Sequence, residues 1–216
     1  MLSNLSVQEL INIIKKLVNS DVKHIVDSRI KEFSSVGSAN SPRWFEELAF
    51  CILAANFSAR SAIKCIEKLK EENLILNGST EDVSLSLLKC GHRFPYARAK
   101  YIVSGRKWAQ KLKEKILSFN NVSSAREWLV KNFSGVGWKV ASHFLRNVGF
   151  LNVAIIDRHI LNIMHKYKLT NFTTPLNKRK YLHCEKILKN IANKIGISLG
   201  ELDLYLWYLE TGKVLK

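Results

Sequence analysis

The chain has 216 residues, 47% of them hydrophobic, which is enough for one good core or two small lobes and too apolar for a disordered tail. Thirty-four Lys and Arg against eighteen Asp and Glu leave a formal charge of +16. A field of that sign attracts a polyanion, and nucleic acid is the first candidate partner. Cys51, Cys65, Cys90 and Cys184 form no C-x-x-C pair and no tight cluster, so the sequence indicates neither zinc nor an iron-sulfur cluster. Cys51 and Cys65 lie in apolar helical runs and read as core thiols. The first ten residues lack a charged region followed by an apolar one, and no stretch approaches a membrane span. The expectation is a cytoplasmic, nucleoid-associated prokaryotic protein with no membrane partner.

In chain order, Ser6 to Glu9 forms a capping box ahead of Leu10, Ile13, Ile14 and Leu17 at helical spacing. Ser41-Pro42 supplies a cap and a first-turn proline before a run apolar on most sides, Trp44 to Leu53, which predicts a central buried helix. Asn56-Phe57-Ser58 interrupts it. A basic helix is expected from about Ala59 to Lys70, then a loop around Asn77-Gly78-Ser79 and a short helix ending near Cys90-Gly91. After His92-Arg93-Phe94-Pro95, one long helix is expected from Tyr96 to about Lys115. Its positive face carries Arg98, Lys100, Arg106, Lys107, Lys111, Lys113 and Lys115. That face is either a solvated surface or a stripe facing phosphates. Leu151 to Ile156 is the best strand candidate, and at six residues it is too short to change an all-α reading.

The most informative stretch runs over 124–149. Ser124 and Glu127 read as a capping box opening a helix whose apolar face is Leu129, Val130 and Phe133. Gly135-Val136-Gly137 breaks it. A second helix starts near Trp138, with Val140, Ala141, Phe144, Leu145 and Val148 on one face, and Lys139, His143 and Arg146 on another, and it stops at Gly149. Two glycines around one apolar residue, between two helices, form a hairpin whose bare backbone lets a phosphate approach the N–H groups at the start of the second helix. Such a contact anchors DNA without reading its sequence.

The pattern Gly135-Val136-Gly137-x-Lys139-x-Ala141, followed by an apolar segment ending in Asp157, resembles the helix-hairpin-helix DNA glycosylase superfamily. Within it, Gly137 to Gly149 followed by Ile156-Asp157-Arg158-His159-Ile160 is similar to the compact archaeal-type (type 2) 8-oxoguanine DNA glycosylase/AP lyases. The likeness extends over most of the chain, including Arg93 to Ile102 and Trp207 to Lys216. It implies a single domain over 1–216, all-α, with two helical lobes, the N- and C-terminal helices sharing one of them, and an active-site cleft between the lobes. Resemblance to the compact type also implies that the additional β-domain of the larger relatives is not expected.

The resemblance also implies a chemistry. Breaking an N-glycosidic bond develops positive charge at C1′ of the deoxyribose, which a carboxylate stabilises, and Asp157 would fill that role. An amine attacking C1′ leaves a Schiff base after ring opening, from which β-elimination cuts the strand, and Lys139 would be that amine. Relatives that use activated water lack this lysine. The target base must be flipped out of the duplex; the resemblance makes Phe94 and Trp207 its sandwich, Asn56 a gap-filling residue, and Lys216 a contributor to recognition of the damaged base. Bare residue chemistry allows other readings: Asp157 is also a good N-cap, Trp207 shares its helix with Leu202, Leu206 and Leu209, and Lys216 could be a basic tail. His143 could touch DNA or be structural. The expectation is a monomer that binds damaged double-stranded DNA and needs no metal or organic cofactor. An oxidised-pyrimidine glycosylase resembling endonuclease III and a non-enzymatic hairpin DNA-binding module stay open as alternatives.

Overall fold

A computed structural model describes residues 6–214, and among them the regular structure is helical, with no strand. In chain order the helices are α1 (Val7–Val18), α2 (Val22–Ser38), α3 (Ser41–Ala54), α4 (Ala59–Glu71), α5 (Thr80–Lys89), α6 (Pro95–Gly105), α7 (Leu112–Leu117), α8 (Val122–Asn132), α9 (Trp138–Asn147), α10 (Arg158–Lys166), α11 (Lys178–Ile195) and α12 (Leu199–Thr211), with a single 3-10 turn at Arg106–Trp108. The chain divides into two compact units, the division falling inside α2 and just after α9. The central unit is Ser35–Val148; the terminal unit joins the N-terminal residues to Ser34 with Gly149 onward.

The central unit is built around α3, which packs against α4, α6, α7 and α9. Trp44, Phe45, Leu48, Ile52 and Leu53 are almost wholly buried, as expected of a helix apolar on most sides. The Trp44 ring meets Phe144 of α9 edge-on at 5.9 Å, and its Nε1 donates to the Val36 carbonyl at 2.9 Å. The α3 cap is Asn40, whose side chain accepts from the Arg43 N–H, and not Ser41. Ser41 is instead the first helical residue, and its hydroxyl donates to Glu114 Oε2 at 2.7 Å and accepts from the Lys113 N–H at 2.8 Å. It therefore ties the start of α3 to α7.

The long helix expected over 96–115 is broken. α6 ends at Gly105, where an added Cβ would lie 3.1 Å from both Phe45 and Phe133. A residue that favours helix poorly is kept there by close packing. The next residue, Arg106, turns its guanidinium back onto the loop after α4: Nε donates to the Ile75 carbonyl at 3.0 Å, Nη1 to Gly78 at 2.5 Å and Nη2 to Leu74 at 2.8 Å and to Asn77. The backbone follows it through the 3-10 turn before α7 begins.

A buried polar network runs between α3 and α9. Asn147 Nδ2 donates to Glu47 Oε1 at 2.7 Å, and Arg146 Nε and Nη2 donate to Asn147 Oδ1 at 3.0 and 2.8 Å. Arg43 closes on the other Glu47 oxygen at 3.5 Å. Asn147 and Glu47 are almost completely withdrawn from water, so each depends on the others for hydrogen bonds it cannot obtain from solvent.

In the terminal unit, α1 packs its Leu10, Ile11 and Ile14 face against α11 and α12, and α12 packs also on α10. The Ser6–Glu9 capping box is present. The candidate strand from Leu151 to Ile156 is an extended segment whose backbone is satisfied by side chains and a helix end. Ala154 N–H donates to Glu185 Oε2 at 2.9 Å, Ile156 N–H to Tyr181 Oη at 3.1 Å, Tyr181 Oη to the Ala154 carbonyl at 2.8 Å, and Gly200 N–H to the Leu151 carbonyl at 2.8 Å. Residues Val153 to Ile156 are buried, which explains the apolar run without a strand partner.

Cys51, Cys65 and Cys184 are buried. Burial, with help from neighbouring Cys90, pushes the Cys65 thiol up to about 12, so it stays protonated and inert, as a core thiol should. Among the described residues no helix is long and apolar enough to cross a membrane. Replacing Asn147 with Leu should cost about 2–4 kcal/mol, because Glu47 and Arg146 are left without their shared partner. A urea unfolding midpoint equal to wild type would show that the network contributes nothing.

Candidate active site and DNA interface

The two helices of the hairpin, α8 and α9, pack together. α8 starts one turn earlier than the Ser124–Glu127 box implied: Asn121 is the cap, its side chain accepting from the Ser124 N–H. Phe133 ends α8 buried, with Trp128 edge-on at 5.8 Å and Trp108 against Trp128 at 4.6 Å. Val136 N–H reaches back to the Phe133 carbonyl at 3.3 Å, and Val136 itself is buried. Gly135, with φ of +76°, makes the reversal. A Cβ on Gly135 would stand 2.2 and 2.5 Å from the ring of Tyr101 on α6, so conformation and packing both demand glycine. Gly137 caps α9 with extended backbone and no side-chain cap bond. The N–H groups of a helix's first turn have no carbonyl within the helix to bond, and Val130 to Gly137 line a shallow open depression beside this end of α9.

Lys139 lies in that first turn and is half-buried. The two other polar residues assigned to its face are not displayed there. His143 is buried and meets Phe50 edge-on at 5.7 Å, and Arg146 belongs to the network with Asn147 and Glu47. Arg126 of α8 donates to Ser142 Oγ at 3.1 Å and lies over the Trp138 ring at 4.9 Å, which fixes the first turn of α9 against α8.

Also in the central unit are Asn56 and Phe94. Asn56 is exposed in the turn after α3 with φ of +58°, a conformation that Asn tolerates better than most residues. Phe94 precedes Pro95 at the start of α6, and 37% of its surface is exposed, which is unusual for a phenylalanine. The Arg93 and Arg98 guanidinium groups lie 5.0 and 5.7 Å from its ring centre. Its N–H donates to His92 Nδ1 at 3.0 Å, and His92 Nε2 is 3.0 Å from the Leu53 carbonyl. Arg98 Nη2 donates to the Ala55 carbonyl at 2.6 Å.

In the terminal unit, Asp157 caps α10, its Oδ1 accepting from the Ile160 N–H at 3.0 Å. The segment before it is the one held by Tyr181 and Glu185. Trp207 on α12 is half-buried, with the His159 ring edge-on at 5.0 Å. His159 also lies 3.7 Å from Glu210, so the start of α10 and the middle of α12 are linked through one histidine. The Trp207 indole Nε1 is out of reach of solvent and makes no hydrogen bond among the described residues. Lys216 lies outside the described residues. No cluster of His, Cys, Asp or Glu able to hold a metal occurs among the described residues.

The chain as a whole has close relatives among known proteins. The 8-oxoguanine DNA glycosylase family (Ogg-HhH) matches residues 26–197. Relatives named 8-oxoguanine DNA glycosylase/AP lyase are 46% identical over 98% of this chain and all of the protein from Korarchaeum cryptofilum, and 46% identical over 96% of this chain and 99% of the protein from Methanocaldococcus jannaschii. The crystal structure of the Methanocaldococcus jannaschii enzyme with a 15mer DNA containing 8-oxoguanine superposes with a TM-score of 0.92 at 45% identity, covering 96% of this chain and 99% of that one. The Thermotoga maritima 8-oxoguanine DNA glycosylase gives 0.90 at 37% identity, covering 97% of this chain and all of the other.

The chain belongs to the 8-oxoguanine DNA glycosylase family.

Within that family assignment, the positive face predicted on the broken helix needs revision. Arg98 and Arg106 are turned onto carbonyls, and Lys113 Nζ donates to the Ala39 carbonyl at 2.7 Å. Lys100, Lys107 and Lys111 remain exposed. Tyr101, His92, Tyr181 and Glu185 support proposed site residues, yet none stood out in the sequence. Each acts through a contact with a segment distant along the chain, which no local sequence signal marks.

Gly135→Ala places a side chain at a positive φ and into the Tyr101 ring, so a loss of stability of about 1–2 kcal/mol or more is expected from the backbone alone. Duplex binding should weaken with it. Adding Tyr101→Leu should recover only part of the loss, because the backbone conformation stays unfavourable. Full recovery, read by thermal melting and by fluorescence anisotropy, would show that the ring alone demands glycine.

Proposed function

We propose that this chain removes 8-oxoguanine from duplex DNA and cuts the strand at the resulting site, with Lys139 as nucleophile and Asp157 as the stabilising carboxylate. The observation that carries this reading is a lysine in the first turn of α9, directly after the Gly135-Val136-Gly137 turn, in a full-length relative of 8-oxoguanine DNA glycosylase/AP lyases. A lysine there is a poor choice for the helix itself, because a cation meets the positive end of the helix dipole. Chemistry accounts for it better than stability does.

In the proposed reaction the Lys139 amine forms a bond to C1′ as the bond from C1′ to N9 breaks, its electron pair leaving with the base, which takes up a proton. Asp157 offsets the positive charge that develops on the sugar and takes part in the proton transfers. Opening of the sugar ring yields the Schiff base. Loss of a proton at C2′ then expels the 3′ phosphate and nicks the strand. Phe94 and Trp207 are proposed to stack on the extruded base, Lys216 to contribute to its recognition, and Asn56 to fill the gap in the duplex. Gly135, Val136 and Gly137 would hold backbone phosphate, an anchor suited to a damage-searching enzyme because it is blind to sequence. The whole of 1–216 would act as one domain, a monomer without a cofactor, at the nucleoid.

Borohydride should trap wild-type protein on an 8-oxoguanine duplex as a covalent adduct, and Lys139→Gln should abolish the adduct. A chain that binds damaged duplex but never traps would be a binding module, and one that traps on thymine glycol alone would be a pyrimidine glycosylase. Asp157 needs a finer test because it is also a helix cap. Asn caps as well as Asp, so Asp157→Asn should melt close to wild type while single-turnover excision falls about a hundredfold or more. Asp157→Ala should in addition lose about 1 kcal/mol of stability. Equal excision by wild type and Asp157→Asn would remove Asp157 from the chemistry. Binding should also weaken steeply with added salt, as phosphate neutralisation releases counterions; a flat dependence would contradict backbone anchoring.

A further inference from the structure

Two side chains outside the proposed chemistry join the same two segments of the central unit. His92 lies just before Phe94 and is 3% exposed; Arg98 lies one turn after it and is 8% exposed. Because the Phe94 N–H donates to His92 Nδ1, that nitrogen carries a lone pair, so Nε2 holds the proton and donates it to the Leu53 carbonyl. Arg98 makes the parallel link from α6 to the carbonyl of Ala55. Leu53 and Ala55 are in the last turn and cap of α3, directly before the left-handed Asn56. The Phe57 ring then lies over the His92 imidazole at 4.3 Å.

We propose that His92 and Arg98 are positioning residues which fasten the Asn56 turn to Phe94, so that the proposed gap-filling residue and the proposed base-stacking residue are set as one preformed element. The inference rests on the functional reading above, since it takes Phe94 and Asn56 in those roles. The brace has reason to be rigid. Burial pushes the His92 imidazole below the usual histidine range, and the charge of Arg98 adds to this against the Leu53 carbonyl; the neutral ring is the one form that can accept from Phe94 and donate to Leu53 at once. The Arg98 guanidinium also lies 5.8 Å from the Tyr101 ring, the ring on which Gly135 rests. Phe94, Arg98, Tyr101 and the hairpin turn thus form one continuous set of contacts.

A preformed stacking residue matters for holding a damaged base and not for cutting a site that has already lost one. The test compares single-turnover excision on an 8-oxoguanine duplex with strand cleavage on a preformed abasic duplex, for wild type, His92→Phe, His92→Asn, Arg98→Met and Arg98→Lys. The ratio of excision to abasic cleavage should fall about tenfold to a hundredfold for His92→Phe and Arg98→Met, the scale of loss expected from misplacing a positioned group. His92→Asn, which keeps an acceptor near the Nδ1 position, should recover part of it and guards against a variant that merely fails to fold. The effect must act through Phe94, so in a Phe94→Ala background the further change His92→Phe should leave the ratio where it is. An unchanged ratio in the His92→Phe and Arg98→Met variants, or full additivity with Phe94→Ala, overturns the brace. A wild-type protein that cleaves abasic duplex but leaves 8-oxoguanine in place overturns the functional reading and this inference with it, a result separable from a failure of the brace alone.

Discussion

The tight turn at Gly135 is the constraint on which the central unit's proposed chemistry depends. The chain reverses there through a positive φ, with Val136 turned into the interior and the Tyr101 ring directly beneath the glycine. Any side chain at that position would meet an aromatic ring at 2.2–2.5 Å, far inside ordinary contact distance, so sequence, conformation and packing agree on one residue. The consequence is positional. With Phe133 and Val136 buried on either side of the turn, the first turn of α9 is fixed in direction, and Lys139 is carried on a rigid helix start and not on a mobile loop. A nucleophile that must meet one atom of a flipped sugar gains most from that kind of preorganisation.

α9 is held at its other end by polar contacts. Glu47, Asn147 and Arg146 are costly to bury, and a purely apolar contact of the same shape would be at least as stable. What the network adds is a unique register of α9 on α3, because a slip of either helix leaves buried donors and acceptors without partners. The two ends of α9 are therefore defined by different physics, steric at Gly135 and hydrogen-bonded at Asn147. Both act to keep one helix in one place.

What could be read from residues alone follows the range of the interactions involved. The hairpin was legible because glycine turns, helix stops and apolar periodicity are local, and the buried α3 was legible because it is apolar on most sides. The caps were harder. Ser41 and Ser124 are good cap residues by type, but Asn40 and Asn121, one residue and one turn earlier, took the position, and nothing local ranks an Asn above a Ser. The break after Gly105 depends on Phe45 and Phe133 closing on a missing side chain, and the inward turn of Arg98, Arg106 and Lys113 depends on carbonyls presented by other segments. A basic face counted along one helix cannot reveal that some of its charges are internal fasteners. Leu151 to Ile156 misleads for the same reason: its apolar run reports burial, and its hydrogen-bond partners, Tyr181 and Glu185, come from a helix some thirty residues on.

Asp157 combines an observed structural role with a proposed chemical one. Its Oδ1 accepts from the Ile160 N–H, which a simple cap would do. The cap bond ties the carboxylate to the start of α10, and the segment leading to it is itself held by Tyr181, Glu185 and the Gly200 N–H. A cap asks only for an acceptor oxygen at this position; for the proposed chemistry a firmly held carboxylate also counts, because electrostatic stabilisation is greatest where the charge-bearing group does not have to move.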